Sequence, residues 1–264
     1  MKRVALTVVQ EFAVQEFAEP EQIPLDYAGP MTVRIARAIA GSLGHPSKMP
    51  GYSYGISAQK CQTGGKLREV RGSVCSGCYA MTDWYRTWRP LLEGHRRRWQ
   101  GIHHPRWVDA MIVLITSAYR PRAGRAELEP VFRWHDSGDL QGVWHLVAIA
   151  AVCRATPHVR YWLPTREYGY VAEYLRDHEL PDNLTVRLSA HMIDQEPVLG
   201  EHAAALAHLP VSTVSSVSLL RLGVQLVEGK GSIECRAVEA RDNKCGPCRA
   251  CWDRRVRSVN YPQH

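Results

Sequence analysis

The sequence predicts an α/β fold, a partial β/α barrel of the TIM type with a cysteine-rich C-terminal tail. Between residues 131 and 215, short apolar runs rich in β-formers alternate with longer runs of helical apolar spacing. Regular alternation of strand and helix indicates β/α units with parallel strands. Because a parallel sheet must be covered by its crossover helices, the pattern predicts an open sheet or a barrel.

The predicted elements follow one another along the chain. Strands are predicted at residues 131–135, 159–163, 185–189 and 211–215, with helices at 143–155, 168–177 and 201–208. Two earlier helices are predicted at 32–40 and 107–118, where apolar residues recur at helical spacing. Residues 44–55 are rich in Gly, Pro and Ser and predict an extended loop. Residues 1–27 predict short strands and an irregular arm.

Length and composition indicate a folded protein that needs no cross-links. The chain has 264 residues, of which 45% are hydrophobic, and a chain of this size can bury a core without disulfides. We expect an N-terminal arm and helix over residues 1–50, a barrel-like domain over 51–234 and a metal-binding segment over 235–264. The N-terminal apolar run is too short for a signal peptide, and no stretch reaches the length of a membrane span. We therefore expect a cytoplasmic protein with no membrane partner, where clustered cysteines favour metal over disulfides.

A group of four cysteines lies near the C-terminus, at Cys235, Cys245, Cys248 and Cys251. The last three have the spacing C-x2-C-x2-C. Tetrahedral zinc sites usually take their thiolates in pairs, whereas each iron of a cubane cluster needs one thiolate, so three closely spaced cysteines can bind three corners. Cys235 can then supply the fourth. The spacing predicts an iron–sulfur cluster of the [4Fe-4S] type, with structural zinc as the alternative.

A second group contains Cys61, Cys75 and Cys78 and leaves one iron without a protein thiolate. Either a cysteine of the tail completes this site or the open iron binds a ligand, and we expect the two groups to lie close together in space. S-adenosylmethionine is the ligand that radical enzymes chelate at such an iron. Cys153 lies in an apolar helical run and is predicted to be a small core residue.

Polar residues follow each predicted strand. In parallel β/α folds the loops at the carboxyl ends of strands converge on one face and hold the site. We therefore expect a pocket for a small-molecule ligand, with a buried Asp136 paired to Arg166. The alternative is turn chemistry and helix capping. The candidate pocket residues are His135, Asp136, Ser137, Asp139, Thr165, Arg166, Ser189 and His191.

The formal charge is +7, and much of the positive charge lies between residues 84 and 107. Guanidinium groups pair with phosphate and indole rings stack on bases, so nucleic acid is a candidate partner of this segment. The alternative is a solvated amphipathic helix with its tryptophans facing the core. The segment interleaves Arg86, Arg89, Arg96, Arg97, Arg98 and Arg106 with Trp84, Trp88, Trp99 and Trp107.

Several motifs together resemble a family of phage proteins, the gene product 88 family. They are residues 48–56, the segment 75–80 with the preceding Cys61, and residues 133–139, 161–166, 244–252 and 261–264. The resemblance covers the chain from about residue 44 onward. It implies phage origin, an infected host cell as the location, and a cysteine-bound metal centre.

A looser similarity is to radical S-adenosylmethionine enzymes, which have partial β/α barrels and a three-cysteine cluster. Here thirteen residues separate Cys61 from Cys75, where that family has three. Three classes of function follow from the sequence. They are an iron–sulfur enzyme, with radical chemistry as one form of it; a non-catalytic iron–sulfur protein with a redox or regulatory role; and a nucleic-acid-binding protein with structural zinc.

Overall fold

The computed structural model describes residues 22–82, 85, 87–124, 127–218, 231–238 and 244–263. Most of the predicted N-terminal arm, residues 1–21, lies outside the described residues. The remainder forms a mixed α/β fold around one parallel sheet.

Seven strands form the sheet, in the order β1-β2-β3-β4-β5-β7-β6, and every neighbouring pair is parallel. The α/β class and the parallel arrangement of the strands are therefore confirmed. β1 and β6 stand at the two ends of this order, and no pairing between them exists in the described part of the chain, so closure into a barrel stays a prediction. The strands are β1 Tyr52–Tyr54, β2 Val131–Trp134, β3 Arg160–Thr165, β4 Leu184–Ser189, β5 Val211–Ser215, β6 Ser232–Glu234 and β7 Ser258–Pro262.

Helices connect the strands and cover one face of the sheet. The predicted helices at 143–155 and 168–177 are confirmed, whereas the one predicted at 201–208 is a 3₁₀ turn followed by a single α-helical turn. Only Leu206 of that segment is buried, so little packing supports a longer helix. No helix of the described ranges is long and apolar enough to cross a membrane. The helices are α1 Val33–Ala40, α2 Thr63–Leu67, α3 Arg89–Gly101, α4 Trp107–Tyr119, α5 Val143–Ala155, α6 Tyr168–Asp177 and α7 Ala203–Leu206.

Helix α1 shows how the local sequence defines an element and its packing. The Thr32 side chain accepts a hydrogen bond from the Ile35 amide and caps the first turn. Helix α3 approaches α1 closely at Gly101, where a Cβ would lie 2.5 Å from the Ile39 carbonyl oxygen. α1 also packs on α4, and this layer covers the edge of the core near β1.

The two faces of the sheet differ in chemistry, because side chains alternate along each strand. Phe132 and Trp134 belong to the main apolar core beneath the helices. Arg133 alternates with them and pairs in register with Trp162 of β3, and Arg187 lies on the same side of β4. We call this side, which carries Arg133, Trp162 and Arg187, the inner face.

The C-terminal segment covers the inner face. The Trp252 ring lies 5.3 Å from the Trp162 ring at a steep angle, and the Thr185 hydroxyl donates to the Trp252 carbonyl. The same segment ends in β7, which pairs with both β5 and β6. The tail is thus part of the sheet as well as its cover.

Candidate functional site

The first cysteine group, Cys61, Cys75 and Cys78, is organised around helix α2. Cys61 lies just before this helix, and the other two follow it. Gly64 of α2 faces the thiols: a Cβ there would lie 3.1 Å from the Cys61 Cβ and 3.4 Å from the Cys75 Sγ. Because Gly64 has no side chain, the thiols of Cys61 and Cys75 have the space to lie side by side next to α2.

Contacts to the loops after β3 and β4 hold this group over the carboxyl ends of the strands. Glu167, two residues after β3, accepts hydrogen bonds from the Thr63 amide at 2.8 Å and the Thr63 hydroxyl at 2.7 Å. The Val74 amide donates to the His191 carbonyl at 2.9 Å. The first cysteine group thus lies at the end of the sheet where parallel α/β folds place their sites.

Acidic neighbours mark the electrostatics of the first group. Burial raises the pKa of the Cys61 thiol, and Asp139 is the next largest cause of that increase, followed by Cys78. Burial likewise raises the pKa of Cys75, an effect that Arg166 partly opposes. These thiols stay protonated until a metal displaces the proton.

The tail cysteine group consists of Cys235, Cys245, Cys248 and Cys251. It lies next to strands β6 and β7 and to the backbone at Lys48. The Cys235 amide donates to the Asn260 carbonyl of β7 at 2.7 Å, and the Cys245 amide donates to the Lys48 carbonyl at 3.1 Å. Electrostatic effects on the Cys235, Cys245 and Cys251 thiols include contributions from other members of the same group. Members of the group therefore lie within electrostatic range of one another, although no three His, Cys, Asp or Glu side chains of the described residues are close enough together to hold a metal ion.

A buried arginine fixes the loop that contains Cys251. Arg187 of β4 is fully buried and donates hydrogen bonds of 2.9–3.2 Å to four backbone carbonyls. The Cys251 Sγ lies 3.1 Å from the Tyr261 hydroxyl. Burial raises the pKa of Cys251 to about 11, while the bond with Tyr261 and the charge of Arg187 lower it. The carbonyl partners of Arg187 belong to Val211, Ala250, Asp253 and Val256.

The residues of the predicted pocket lie in several different environments. Asp139 links the loops after β2 and β3, because it accepts hydrogen bonds from the Leu140 amide, the Thr165 hydroxyl and the Arg166 amide at 2.6–2.9 Å. Burial, and then the charge of Glu167, raises its pKa to about 6. Ser137 donates to the Ile56 carbonyl at 2.6 Å. We call the carboxyl ends of the strands, with the loops that follow them, the rim. Asp139 and Ser137 hold loops of this rim in position.

The expected ion pair between Asp136 and Arg166 is absent from the part of the chain described here. Arg166 directs its Nε to the Ala190 carbonyl at 3.0 Å, because its side chain runs along the rim toward β4. The Asp136 Oδ1 is buried without a hydrogen-bond partner, and the Tyr79 hydroxyl bonds to the Asp136 carbonyl. His135 has a left-handed φ of 55° and lies in the core, with its ring 5.3 Å from that of His145.

The remaining pocket candidates line the ends of β4 and β5. The Ser189 carbonyl accepts from the Tyr168 hydroxyl, and its side chain accepts from Ser212 at 3.2 Å. The His191 ring stacks on Tyr168 at 4.6 Å. His191 and Thr165 therefore lie on the same rim as the first cysteine group, whereas His135 does not.

Comparison with known proteins gives one family match. A family model described as Gene product 88 matches residues 32–254 of this chain, a range that includes both cysteine groups. The chain belongs to the gene product 88 family. No curated protein matches it, and no solved structure matches it. The similarity to radical S-adenosylmethionine barrels therefore stays a hypothesis.

In this member of the gene product 88 family, the arginines of the basic segment are engaged with the rest of the chain. Arg98 is buried and donates to the carbonyls of Ser42 and Gly55. Arg96 and Arg97 both contact Glu93 at 2.7 Å. Arg106 donates to the Gly29 carbonyl, and Trp84 and Arg86 lie outside the described residues. A nucleic-acid surface on α3 would have to compete with these contacts.

Two residues with chemistry at the site, Arg133 and Arg187, were not predicted from the sequence. Each is a single charged residue inside an apolar strand, and this pattern is the signal that could have identified them. The best-formed clefts of the described chain lie elsewhere, at the amino ends of the strands, and one of them has a volume of about 480 Å³ next to Leu184 and Pro210. The cysteines lie away from these clefts, at the rim and at the inner face.

Proposed function

We propose that this phage protein is an iron–sulfur protein that holds a [4Fe-4S]-type cluster in the tail cysteine group. The observation that carries the proposal is the run C-x2-C-x2-C at Cys245, Cys248 and Cys251, whose last cysteine lies in the loop that Arg187 fixes. Four cysteines are the usual ligand set of such a cluster. The residues that would hold it are Cys235, Cys245, Cys248 and Cys251.

The charges around the tail group support an anionic centre. Cys245 has Arg249 and Arg133 among its electrostatic neighbours, and Cys251 has Arg187. A cluster bound by four thiolates carries net negative charge, and a buried negative charge is costly unless positive groups lie nearby. These arginines supply that compensation.

The sequence spacing of the tail cysteines favours a multinuclear centre over zinc. Tetrahedral zinc sites usually take their thiolates in pairs, whereas the run C-x2-C-x2-C at Cys245, Cys248 and Cys251 can bind three corners of a cubane. Among the residues that the structure describes, no three His, Cys, Asp or Glu side chains form a group that could hold a metal ion, so the tail thiols would have to move together on binding either centre.

The first cysteine group supports an enzyme as the more specific form of this proposal. Three thiols at the carboxyl-end rim would leave one iron of a second cluster open to a ligand, and S-adenosylmethionine is our candidate for it. The cluster would supply one electron to that ligand. A non-catalytic redox or regulatory protein is the alternative, in which the tail cluster is the whole functional centre.

The test is purification without oxygen, followed by iron and sulfide counts and a Mössbauer spectrum. We expect brown protein with a broad visible absorbance shoulder and about four iron and four sulfide ions per occupied site. Stoichiometric zinc without iron would refute the proposal. For the enzyme form, S-adenosylmethionine at about millimolar concentration, the weakest binding worth considering, should shift the paramagnetic resonance signal of the reduced protein.

A further inference from the structure

Arg133 lies between the two cysteine groups on the inner face. Its electrostatic neighbours at one end are Tyr79 and Asp136, beside the first group. At the other end they are Tyr261 and Cys251, of the tail.

Few of the hydrogen-bond donors of Arg133 have a good acceptor. Its Nη1 reaches the Met49 Sδ at 3.5 Å, a weak acceptor, and it lies within hydrogen-bonding reach of the Tyr79 hydroxyl. Its Nε is buried without an acceptor. The guanidinium also lies over the Trp162 ring, 4.6 Å from its centroid. Both hydrogen-bond partners are neutral, and no carboxylate of the described residues lies within ion-pair distance.

The buried arginines differ from Arg133 in this respect. Arg187 donates to four backbone carbonyls, and Arg98 donates to two. Both of these residues tie loops to the sheet, and their donors are directed at fixed acceptors. Arg133 is half-buried and donates to no such carbonyl, and its electrostatic neighbour Asp136 forms no ion pair with it.

We propose that Arg133 binds the oxyanion of a small ligand, a carboxylate or a phosphate, beside the two cysteine groups. A guanidinium matches either of these anions by making two parallel hydrogen bonds. Trp162 lies over one side of the guanidinium plane, and the Nε at its edge is a buried donor that lacks an acceptor and that such an anion would satisfy. Tyr79, whose side chain is 53% exposed, lies at the entrance to this position.

This inference rests on the proposed function, because it places the ligand beside the cluster sites. It also extends that function, since a bound carboxylate or phosphate defines the class of small molecule the protein takes. Carboxylate and phosphate share the chemistry that Arg133 recognises, so the experiment must separate them.

The experiment titrates anaerobically prepared holoprotein with carbon-13-labelled acetate and, separately, with inorganic phosphate, and follows broadening of the probe resonance. We expect saturable broadening by one of the two probes, which identifies the class. Arg133→Gln should weaken that binding about tenfold or more, the worth of a hydrogen bond to a charged group. Arg133→Lys keeps the charge but not the two-pronged contact, and should weaken binding less.

The matched control is Arg176→Gln, an exposed arginine of α6 that should leave probe binding unchanged. Circular dichroism confirms the fold of each variant, and Arg133→Lys serves if Arg133→Gln does not fold. Equal affinity in wild type and Arg133 variants would overturn the inference. So would a wild type that binds neither probe; a reduction potential lowered by Arg133→Gln but not by Arg133→Lys would then show that Arg133 only offsets cluster charge. Iron and sulfide counts on the same samples show separately whether the proposed function fails.

Discussion

The two cysteine groups differ in their electrostatic surroundings. The first group has three thiols with neighbours of both signs: Asp139 and Glu167 raise the pKa of Cys61, whereas Arg166 and Arg68 lower that of Cys75. The tail group has four thiols next to guanidinium groups, with Arg187 lowering the pKa of Cys251 and Arg249 lowering that of Cys245. Burial raises the pKa of thiols in both groups.

This difference is one of degree in how well each group is prepared for negative charge. Metal binding releases protons from thiols, and nearby cations make that release easier. We therefore expect the tail group to hold a thiolate cluster that persists as a resident centre. In the first group the carboxylates beside Cys61 offset the arginines beside Cys75, which suits a centre with exchangeable ligands.

Removal of one ligand from each group gives the largest expected effect. Cys248→Ala should abolish the signal of the tail cluster, and Cys75→Ala should abolish only a second signal from the first group. The control is Cys153→Ala, whose thiol lies in the core under the helices and should leave iron content unchanged. Paramagnetic resonance and iron counts on the three variants provide the measurement. If both ligand variants remove one and the same signal, the groups share a single centre and the comparison fails.

The anchoring of the tail can be broken without touching a cysteine. Arg187→Met removes the donor to four carbonyls and leaves these acceptors unsatisfied, so we expect a loss of about 3 kcal/mol in the free energy of unfolding. The tail cluster should be lost with it, while the first group keeps its iron. Denaturant unfolding and iron counts test this. Arg176→Met, at an exposed position, should change stability by less than about 0.5 kcal/mol. Equal losses in the two variants would contradict the anchoring role.

The sequence predicted the regular half of the molecule better than the tail. Strands β2 to β5 and helices α5 and α6 have strong apolar periodicity, and their positions were confirmed to within a residue or two. Strands β1, β6 and β7 were missed: β7 is as long as β5 but contains Asn260 and ends in a proline, and β1 and β6 are edge strands of three residues each. A strand so short has no periodicity to read, and only tertiary pairing defines it.

The candidate site was predicted in part. The carboxyl-end rim and the two cysteine groups follow from motif and topology. The partner of Asp136 does not, because the Arg166 side chain donates to the Ala190 carbonyl instead, a backbone acceptor that no sequence pattern identifies. Nor does sequence spacing reveal that Arg133 lies between two groups more than 50 residues away on either side.

The raised pKa of Asp139, beside the first cysteine group, predicts how the stability of the protein depends on pH. Asp139 has a pKa of about 6 in the folded protein, against about 3.9 in the unfolded chain. The folded state therefore holds this proton more tightly, and stability falls as pH rises from about 4 through 6, by on the order of 2–3 kcal/mol. Denaturant unfolding of metal-free protein across this range measures the effect. Asp139→Asn cannot ionise and should show a flatter profile, whereas an unchanged slope would place the carboxyl in water.

The smallest change in stability, and the sharpest test of the first group, is a methyl group on helix α2. Gly64→Ala should favour the helix by up to about 1 kcal/mol, because alanine is the better helix former. Its Cβ would nevertheless lie 3.1 Å from the Cys61 Cβ and 3.4 Å from the Cys75 Sγ, crowding the position where metal must enter.

Gly65→Ala provides a matched control, since no atom lies within 4 Å of a Cβ added at that neighbouring position. Both variants should fold, and both should be as stable as the wild type or slightly more so. Iron bound to the first group should fall in Gly64→Ala and stay unchanged in Gly65→Ala, while the tail signal persists in both. Equal iron uptake by the two variants would mean that the thiols of the first group do not bind metal across α2. The first group would then be a structural feature of the rim, and the tail would be the one metal centre supported by the comparison.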